Sequence, residues 1–474
     1  MCSILCFTRV VGLSPGPARR LPRRTPSRRC RGAGPGAVVN LGGVGNPAFL
    51  AAGRACAPAA RVLFRWAFVT FGPATAGREG ARGAADGARY RRLPPTVPNT
   101  SFPHRASRKD ETPPTMSGSR ITFLEGQAGQ GAALARIADR VRSQLASPER
   151  AALRNARRPL FTGMGASYAA LAVPVQQLRT AGFVTQRVLS SEIESGTAGF
   201  DTDCLIAVSQ GGRSSETIAA CRSAAPGITR AALLNVLPSR LGELADVTVG
   251  LGNEPDSYAS TIGYAGTVVA LDLIAGAIAG RAQDPWGGIA EHTAAVHRQA
   301  ARVVAGLRER GARCIASDTV AAGASCASAE EGALLLREVV RMTAAASATR
   351  NYLHGEMESA GNTLHLVFGD GREIELARSL AGAGHLTLLL TTARVEPADS
   401  LSVIRLPEVP DAVRVVLETV VLQELVARLS AERGVPIESF VFANDDTKEG
   451  GLDRSRLAVA ARGPANDGSR AAGP

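Results

Sequence analysis

Short apolar runs alternate with segments of helical period along most of this chain. In its first half, the runs that we interpret as strands lie at residues 159–162, 183–189, 204–209, 231–237 and 247–251. Segments with a helical pattern lie at residues 133–145, 168–181, 216–225 and 263–279. Short buried strands that alternate with helices indicate a parallel sheet covered on both faces. The pattern therefore predicts an α/β fold.

The same pattern restarts after a break at residues 283–288, Gln-Asp-Pro-Trp-Gly-Gly. Strands are predicted at residues 319–322, 364–368, 385–390 and 403–406, and helices at residues 330–346, 372–381 and 411–433. We therefore predict two tandem three-layer α/β/α domains with parallel sheets. Their expected limits are residues 116–288 and 289–450, with a disordered tail at 451–474.

Charge divides the chain near residue 115. Residues 1–115 hold 19 Arg and Lys against 4 Asp and Glu, whereas the remainder holds 35 basic and 38 acidic residues. The net charge of +12 therefore reflects the first segment, and we predict no nucleic-acid partner for the body of the protein.

The first 115 residues are rich in Arg, Pro, Gly and Ala, without a sustained period. Such a composition predicts a disordered leader, whose removal should leave the unfolding transition unchanged. Two origins stay open: a long targeting peptide, or a start codon assigned too early, with Met116 as the true start, which we favour. Its most apolar part is interrupted by Arg54, Arg61 and Arg65, so no membrane span is predicted.

The cysteines of the body are scattered, at positions 204, 221, 314 and 326. The chain has no CxxC pair and no His-containing metal spacing, so we expect reduced thiols in a cytoplasmic protein, without a metal or cofactor. Cys2 follows Met1 as a glutaminase nucleophile would, but the next residues, Ser-Ile-Leu-Cys, do not support such a domain.

Two loops that join a strand to a helix are candidates for phosphate binding. Residues 163–167 read Gly-Met-Gly-Ala-Ser, and residues 208–217 read Val-Ser-Gln-Gly-Gly-Arg-Ser-Ser-Glu-Thr. Glycines let the backbone approach a phosphate, while hydroxyls and helix-start amides donate to it. A helix-capping cluster is the alternative for the second loop, and a dinucleotide motif fits the first less well because no acidic partner follows.

These loops resemble those of the sugar isomerase (SIS) domain family, and in particular the paired isomerase domains of glucosamine-6-phosphate synthases. In that family a Gly-Thr-Ser loop and a Ser-Gln-Ser-Gly-Glu-Thr loop hold the sugar phosphate. The resemblance, which covers about residues 130–450, implies a phosphate site formed by Gly165, Ser167, Ser209, Gln210, Gly212, Ser214 and Thr217.

The resemblance continues in the second half, where residues 331–338 read Glu-Gly-Ala-Leu-Leu-Leu-Arg-Glu. The family's similar helix ends in the glutamate that shuttles the proton, which implies this role for Glu338. Sixteen residues further on, the family has a His-Gly pair whose histidine opens the sugar ring, and His354-Gly355 stands at that interval. For Glu338 alone, an exposed helical carboxylate is the alternative reading, and the interval to His354 favours catalysis.

Lys448 is one of only two lysines in the chain, the other being Lys109. Unlike arginine, lysine can lose its proton and attack a carbonyl. The family has a lysine near its carboxyl end that meets the ketose carbonyl, which implies this role for Lys448. The family's Pro-Arg-Asn-Leu-Ala-Lys context is absent, so a solvated surface lysine is the alternative.

Three departures from the family pattern bear on function. Leu335 stands where the family has a lysine, and Gly211 and Arg213 replace a serine and a glutamate of the phosphate loop. With no evident glutaminase domain, glutamine-dependent aminotransfer is not expected. We predict a homodimeric phosphosugar enzyme that catalyses aldose–ketose isomerisation or releases an amine from an amino- or glycated sugar phosphate. The alternative is a sugar-phosphate-binding regulator without turnover.

Overall fold

The computed structural model describes residues 120–442 and 447–449, so the predicted leader, the tail and Cys2 lie outside the described residues. The helices are α1 Phe123–Ala146, α2 Ala151–Arg154, α3 Ala166–Ala170, α4 Ala172–Thr180, α5 Ser215–Arg222, α6 Arg240–Leu244, α7 Ile262–Ala279, α8 Ile289–Arg313, α9 Cys326–Glu338, α10 Thr349–Tyr352, α11 Arg372–Gly382 and α12 Asp411–Arg433. The strands are β1 Pro159–Gly163, β2 Gln186–Leu189, β3 Cys204–Val208, β4 Thr229–Leu234, β5 Val247–Gly250, β6 Ala316–Ala321, β7 Thr343–Ala348, β8 Thr363–Phe368, β9 Thr387–Thr391 and β10 Leu401–Arg405.

The strands form two five-stranded sheets, in the orders β2-β1-β3-β4-β5 and β10-β9-β8-β6-β7. All the pairings within these two sheets are parallel. Read from β7, the second order repeats the first, so β6 corresponds to β1 and β8 to β3. The predicted α/β fold with parallel sheets is thus confirmed.

One predicted element differs from the structure. The helix expected over residues 330–346 ends at Glu338, and residues 343–348 instead form β7, at the edge of the second sheet. The sequence of β7, Thr-Ala-Ala-Ala-Ser-Ala, has no apolar β-branched residue, and most of it is exposed. An edge strand needs no buried apolar run, so β7 lacks the sequence signal of a strand. The predicted helix over residues 339–346 was therefore wrong.

Helix α7 is long and apolar enough to cross a membrane, but 89% of it is buried inside the protein. It carries a fully buried aspartate, Asp272, which accepts bonds from Gln177, Arg281 and the indole of Trp286. A buried carboxylate is tolerated when its oxygens are all bonded in this way. The helix is therefore a core element between the sheet and α1.

Polar side chains also join α1, α8 and α12 where these helices pack. Glu424 of α12 is buried and lies 3.1 Å from His297 Nε2 and 3.2 Å from Gln127 Nε2. The ring of His297 is half-buried against this carboxylate. His365 is fully buried in β8.

Candidate functional site

A cavity of about 590 Å³ lies at the carboxyl ends of the first sheet's strands. Segments that follow β1, β3, β4 and β5 contribute to its wall, as do Arg120 and residues of the carboxyl-terminal segment. Its lining is Arg120, Met164, Ala166, Ser167, Val208, Ser209, Gln210, Gly211, Arg213, Ser214, Thr217, Asn235, Val236, Glu254, Asp256, Ser257, Tyr258, Phe440, Phe442, Thr447 and Lys448. Ligands of open parallel sheets bind at this edge. We call this space the first cavity.

Five of the seven residues predicted to bind phosphate line the first cavity, namely Ser167, Ser209, Gln210, Ser214 and Thr217. The other two, Gly165 and Gly212, lie beside it and have positive φ angles of 53° and 62°. A Cβ on Gly212 would meet Ser239 Oγ at 2.2 Å. This glycine therefore shapes the loop and packs it against the start of α6.

The predicted phosphate-binding segment at residues 208–217, which we call the phosphate loop, is held to the sheet by buried hydroxyls. Ser190 Oγ lies 3.0 Å from both Thr162 Oγ1 and Thr217 Oγ1, and Thr217 donates to Ser214 Oγ at 3.1 Å. Ser214 precedes α5, whose first amides have no intrahelical acceptor. The loop thus presents hydroxyls and amide donors to one place, which suits an anion.

The acidic residues of the first cavity are already engaged. Glu254 forms a two-bond ion pair with Arg136, at 2.6 and 3.2 Å. Asp256 accepts bonds from Gln210 and from the backbone amide and hydroxyl of Thr261. Asp256 thus positions the side-chain amide of Gln210. The sequence analysis missed this role of Asp256, because it considered only the residues of the phosphate loop.

Lys448 is brought to the phosphate loop by backbone pairing. It forms an antiparallel bridge with Ser214, and the next amide, of Glu449, donates to Arg213 O at 2.8 Å. The Arg213 guanidinium in turn donates a hydrogen bond of 3.2 Å to Glu449 O, and the Glu449 carboxylate lies 3.6 Å from Arg222. The carboxyl-terminal segment is therefore held over the first cavity, where Lys448 lines the wall.

Glu338 lies next to the first cavity, in a second cavity of about 410 Å³ lined by Arg337, Glu338, Arg341, Met342, Thr343, Phe440, Val441 and Phe442. Phe440 and Phe442 line both cavities. Burial raises the pKa of the Glu338 carboxyl to about 7. A carboxylate with a pKa near 7 is suited to take up and return a proton at neutral pH.

Glu331 is a buried carboxyl that the sequence analysis did not single out. It lies two helical turns before Glu338 on α9, is 1% exposed, and its Oε2 has no hydrogen-bond partner among the described residues. Burial, together with the charges of Glu338 and Asp256, raises its pKa well above the usual range. Seven residues place both side chains on one helix face, a spacing that could have pointed to Glu331.

His354 lies in neither cavity. It follows α10, is exposed, and its backbone amide donates to Asn351 O at 2.9 Å. Between it and Glu338 runs the edge strand β7, which is exposed along much of its length. The chain by itself thus brings together the phosphate loop, Lys448 and Glu338, but not His354.

The edge of the second sheet that corresponds to the predicted phosphate site is occupied by protein side chains. Ser325, in the loop after β6, donates to the buried carboxylate of Glu418 at 3.0 Å, and Arg414 donates to the same oxygen at 2.8 Å. Arg414 also pairs with Asp370, in the loop after β8. These internal charges leave the first domain as the candidate for ligand binding.

Solved structures with similar folds include three whose names refer to sugar 6-phosphates. The carboxyl-terminal domain of glucosamine-fructose-6-phosphate aminotransferase from Francisella tularensis matches with a TM-score of 0.60 and 17% identity, over 69% of this chain and 99% of that one. Tagatose-6-phosphate ketose/aldose isomerase from Escherichia coli matches at 0.55 and 17%, over 68% and 96%. Glucosamine-6-phosphate deaminase from Thermotoga maritima matches at 0.52 and 16%, over 68% and 98%.

No protein-family model and no curated protein matches the sequence. The similarity to the solved structures therefore concerns the fold. At that level the resemblance to the paired isomerase domains is confirmed, because the match extends over nearly the whole of each of the three solved chains.

Proposed function

We propose that this protein is a sugar-phosphate enzyme that moves a proton between the first two carbons of its substrate. The observation that carries the proposal is the adjacency of the two cavities. The phosphate loop and Glu338 border spaces that share Phe440 and Phe442. A six-carbon sugar whose phosphate lies on Ser209 and Ser214 would extend its other end toward Glu338. The names of the structural neighbours agree with this substrate class.

The proposed reaction needs few groups. In an open-chain ketose phosphate, the Glu338 carboxylate removes a proton from C1, giving an enediol, and the resulting acid returns the proton to C2. An aldose phosphate results, and no atom is gained or lost. The raised pKa of Glu338 suits both halves of this step, since the group must accept and donate at similar pH.

Amine release is the same proton transfer applied to a substrate that carries an amine at C1. Transfer from C1 to C2 converts a ketosamine phosphate to an aldosylamine phosphate, whose C–N bond water then cleaves to yield an aldose phosphate and the free amine. In this proposal Lys448 forms a transient imine at the C2 carbonyl with loss of water, which holds the sugar chain open, and water restores the C2 carbonyl and frees the lysine before Glu338 moves the proton.

The proposal includes a homodimer in which His354 of one chain completes the site of its partner. It rests on the exposure of His354 and of edge strand β7, whose open side presents unpaired backbone groups. Histidine has a pKa suited to ring opening. A cytoplasmic location is part of the same proposal.

The test is turnover of purified full-length protein on a panel of hexose, hexosamine and ketosamine 6-phosphates. Glu338→Gln should retain binding and lose about 10²–10⁴-fold in rate, the usual contribution of a general base. Glu408→Gln, at an exposed carboxylate outside both cavities, is the matched control and should match wild type. Normal binding without turnover in the wild type would instead establish the non-catalytic regulator.

A further inference from the structure

The second cavity has two arginines in its wall in addition to Glu338. Arg337 uses its Nε to donate to Ala344 O at 2.8 Å, and Arg341 donates to Ser439 O at 3.4 Å. Both bonds go to backbone carbonyls, and neither guanidinium forms an ion pair with a carboxylate within residues 120–442 and 447–449. Two arginines therefore line the same cavity as the proposed proton shuttle, without a carboxylate partner in that part of the chain.

The backbone at Arg341 is held in an unusual conformation. Its φ is 55°, in the left-handed region, and Asn253 is the other non-glycine residue with positive φ in the described part of the chain. Asparagine is tolerated there, but a long side chain is uncommon. Local strain of this kind concentrates at functional sites, where it directs a side chain to a required place. Here the strained residue is Arg341, which lies in the turn between α9 and β7 and lines the second cavity.

The rest of the second cavity is largely apolar. Val441 and Phe442 are 61% and 76% exposed, and Met342 closes the cavity from the buried side. Large exposed apolar side chains that line a concave surface indicate a binding function rather than a solvated face. The cavity thus combines an apolar wall with two cations, and a free sugar, which is polar and uncharged at its reactive end, does not match that wall.

We propose that the second cavity is a subsite for a substituent on the reacting carbon, and that this substituent has an apolar part and a carboxylate. The substrate class is then a ketosamine 6-phosphate whose amine belongs to an apolar amino acid. The inference rests on the proposed function, and of the two proposed reactions it favours amine release over simple isomerisation. The phosphate lies in the first cavity, C1 and C2 lie by Glu338, and the amino acid carboxylate pairs with Arg341 and Arg337.

The charge of Glu338 does not oppose this arrangement. The cavity wall holds two arginines against this one carboxyl, and Glu338 is partly protonated near neutral pH because burial raises its pKa to about 7. A carboxylate that binds a guanidinium makes charge-assisted hydrogen bonds, which fix orientation as well as affinity. Such pairing would hold the C1–H bond next to the shuttle.

Calorimetry with three ligands tests the proposal on full-length protein carrying Glu338→Gln, which slows turnover enough for binding to be measured. The ligands are fructose 6-phosphate and its 1-amino-1-deoxy adducts with leucine and with leucinamide. The two adducts differ only in the carboxylate. We expect the leucine adduct to bind at least about tenfold more tightly than the leucinamide adduct, as a charge-assisted contact provides. Sodium chloride at high concentration should reduce this ratio.

Arg341→Asn removes the cation and keeps a residue that accepts the left-handed backbone. This variant and Arg337→Gln should each bring the ratio of the two adducts below about threefold, and leave the affinity for fructose 6-phosphate within twofold. Arg302→Gln, on an exposed position of α8 that lines neither cavity, is the matched control and should change nothing.

The outcomes separate this inference from the proposed function. Equal affinity for the two adducts, with fructose 6-phosphate still bound, overturns the subsite alone. So does an Arg341→Asn variant that weakens all three ligands to the same extent, because that result marks a structural role. If none of the three ligands binds, the proposed function fails along with the subsite.

Discussion

Ser214 and Lys448 form an antiparallel backbone bridge that joins the phosphate loop to the last described segment of the chain. The bridge fixes the distance between a group that we propose to bind phosphate and one that we propose to attack a carbonyl. Backbone pairing restricts Lys448 more than a side-chain contact would, since it orients the Cα–Cβ bond as well. The carboxyl-terminal segment is thus a structural part of the candidate site.

The phosphate loop should bind through its buried hydroxyls. Ser209 and Ser214 are 8% and 7% exposed, and both line the first cavity. Replacing both with alanine should weaken fructose 6-phosphate by at least about 100-fold, because each charge-assisted hydrogen bond contributes roughly 1.5–3 kcal/mol. Calorimetry measures this, with Ser439→Ala as the control outside both cavities. A double variant that binds as tightly as wild type would contradict the loop assignment.

The two adjacent glycines of this loop should respond differently to the same substitution. A Cβ on Gly211 meets nothing within 4 Å, so Gly211→Ala should leave stability nearly unchanged. Gly212 has a φ of 62°, and its Cβ would lie 2.2 Å from Ser239 Oγ. We expect Gly212→Ala to lower the free energy of unfolding by about 1–3 kcal/mol, as measured by denaturant titration. Equal stabilities would show that the loop relaxes without cost.

The sequence predicted the α/β fold because continuous apolar runs and helical periods are local signals. It could not predict β7, whose alanines favour a helix and whose pairing depends on a strand of the same domain. It also could not show that Arg341 and Phe442 share a cavity with Glu338, since that proximity arises only when α9 meets the carboxyl-terminal segment. Lys448 and Ser214 were each predicted as site residues, but their pairing was not, because no local pattern joins them.

The activity should depend on the ionisation of Glu338. In the proposed reaction the Glu338 carboxylate is the base. Because burial raises its pKa to about 7, kcat/KM should increase tenfold per pH unit below 7 and level off above it. Stability should follow the opposite trend. Between the unfolded pKa near 4.5 and the folded pKa near 7, the folded state holds the proton, so the free energy of unfolding falls as pH rises.

Glu338→Gln separates these two effects. It should abolish the pH-dependent increase in rate and raise the melting temperature at pH 8 relative to wild type, because the buried charge is gone. Pre-steady-state rates and thermal unfolding at pH 6 and pH 8 measure both. A variant that is less stable than wild type at pH 8 would mean that the charged carboxylate has a favourable partner.

Acid stability should depend on Glu424, where α1, α8 and α12 pack. Hydrogen bonds from His297 and Arg428 lower the pKa of Glu424 to about 2. The ionised carboxylate therefore stabilises the fold fully above the unfolded pKa of about 4.5, and this contribution is lost as the pH falls toward 2. Glu424→Gln should cost on the order of 2–3 kcal/mol at pH 7 and flatten the acid limb. Urea titrations from pH 7 to pH 2.5 check this, with exposed Glu309→Gln as the control. An unchanged acid limb would assign the acid sensitivity to other carboxylates.

Lys448 provides the sharpest division between an enzyme that uses an imine and a protein that only binds. Lys448→Arg preserves the positive charge and much of the reach, and the backbone bridge to Ser214 does not involve the side chain. An arginine stays protonated at neutral pH and forms no imine.

Borohydride should therefore trap fructose 6-phosphate on the wild-type chain and not on the variant, as intact mass would show. Lys109 is first replaced by Lys109→Arg so that Lys448 is the only lysine, and peptide mapping distinguishes an adduct on Lys448 from one on the α-amino group. Adduct formation that persists in the double variant would come from another group, and no adduct on any form, with fructose 6-phosphate still bound, would leave Lys448 as a cation that contacts the ligand without attacking it.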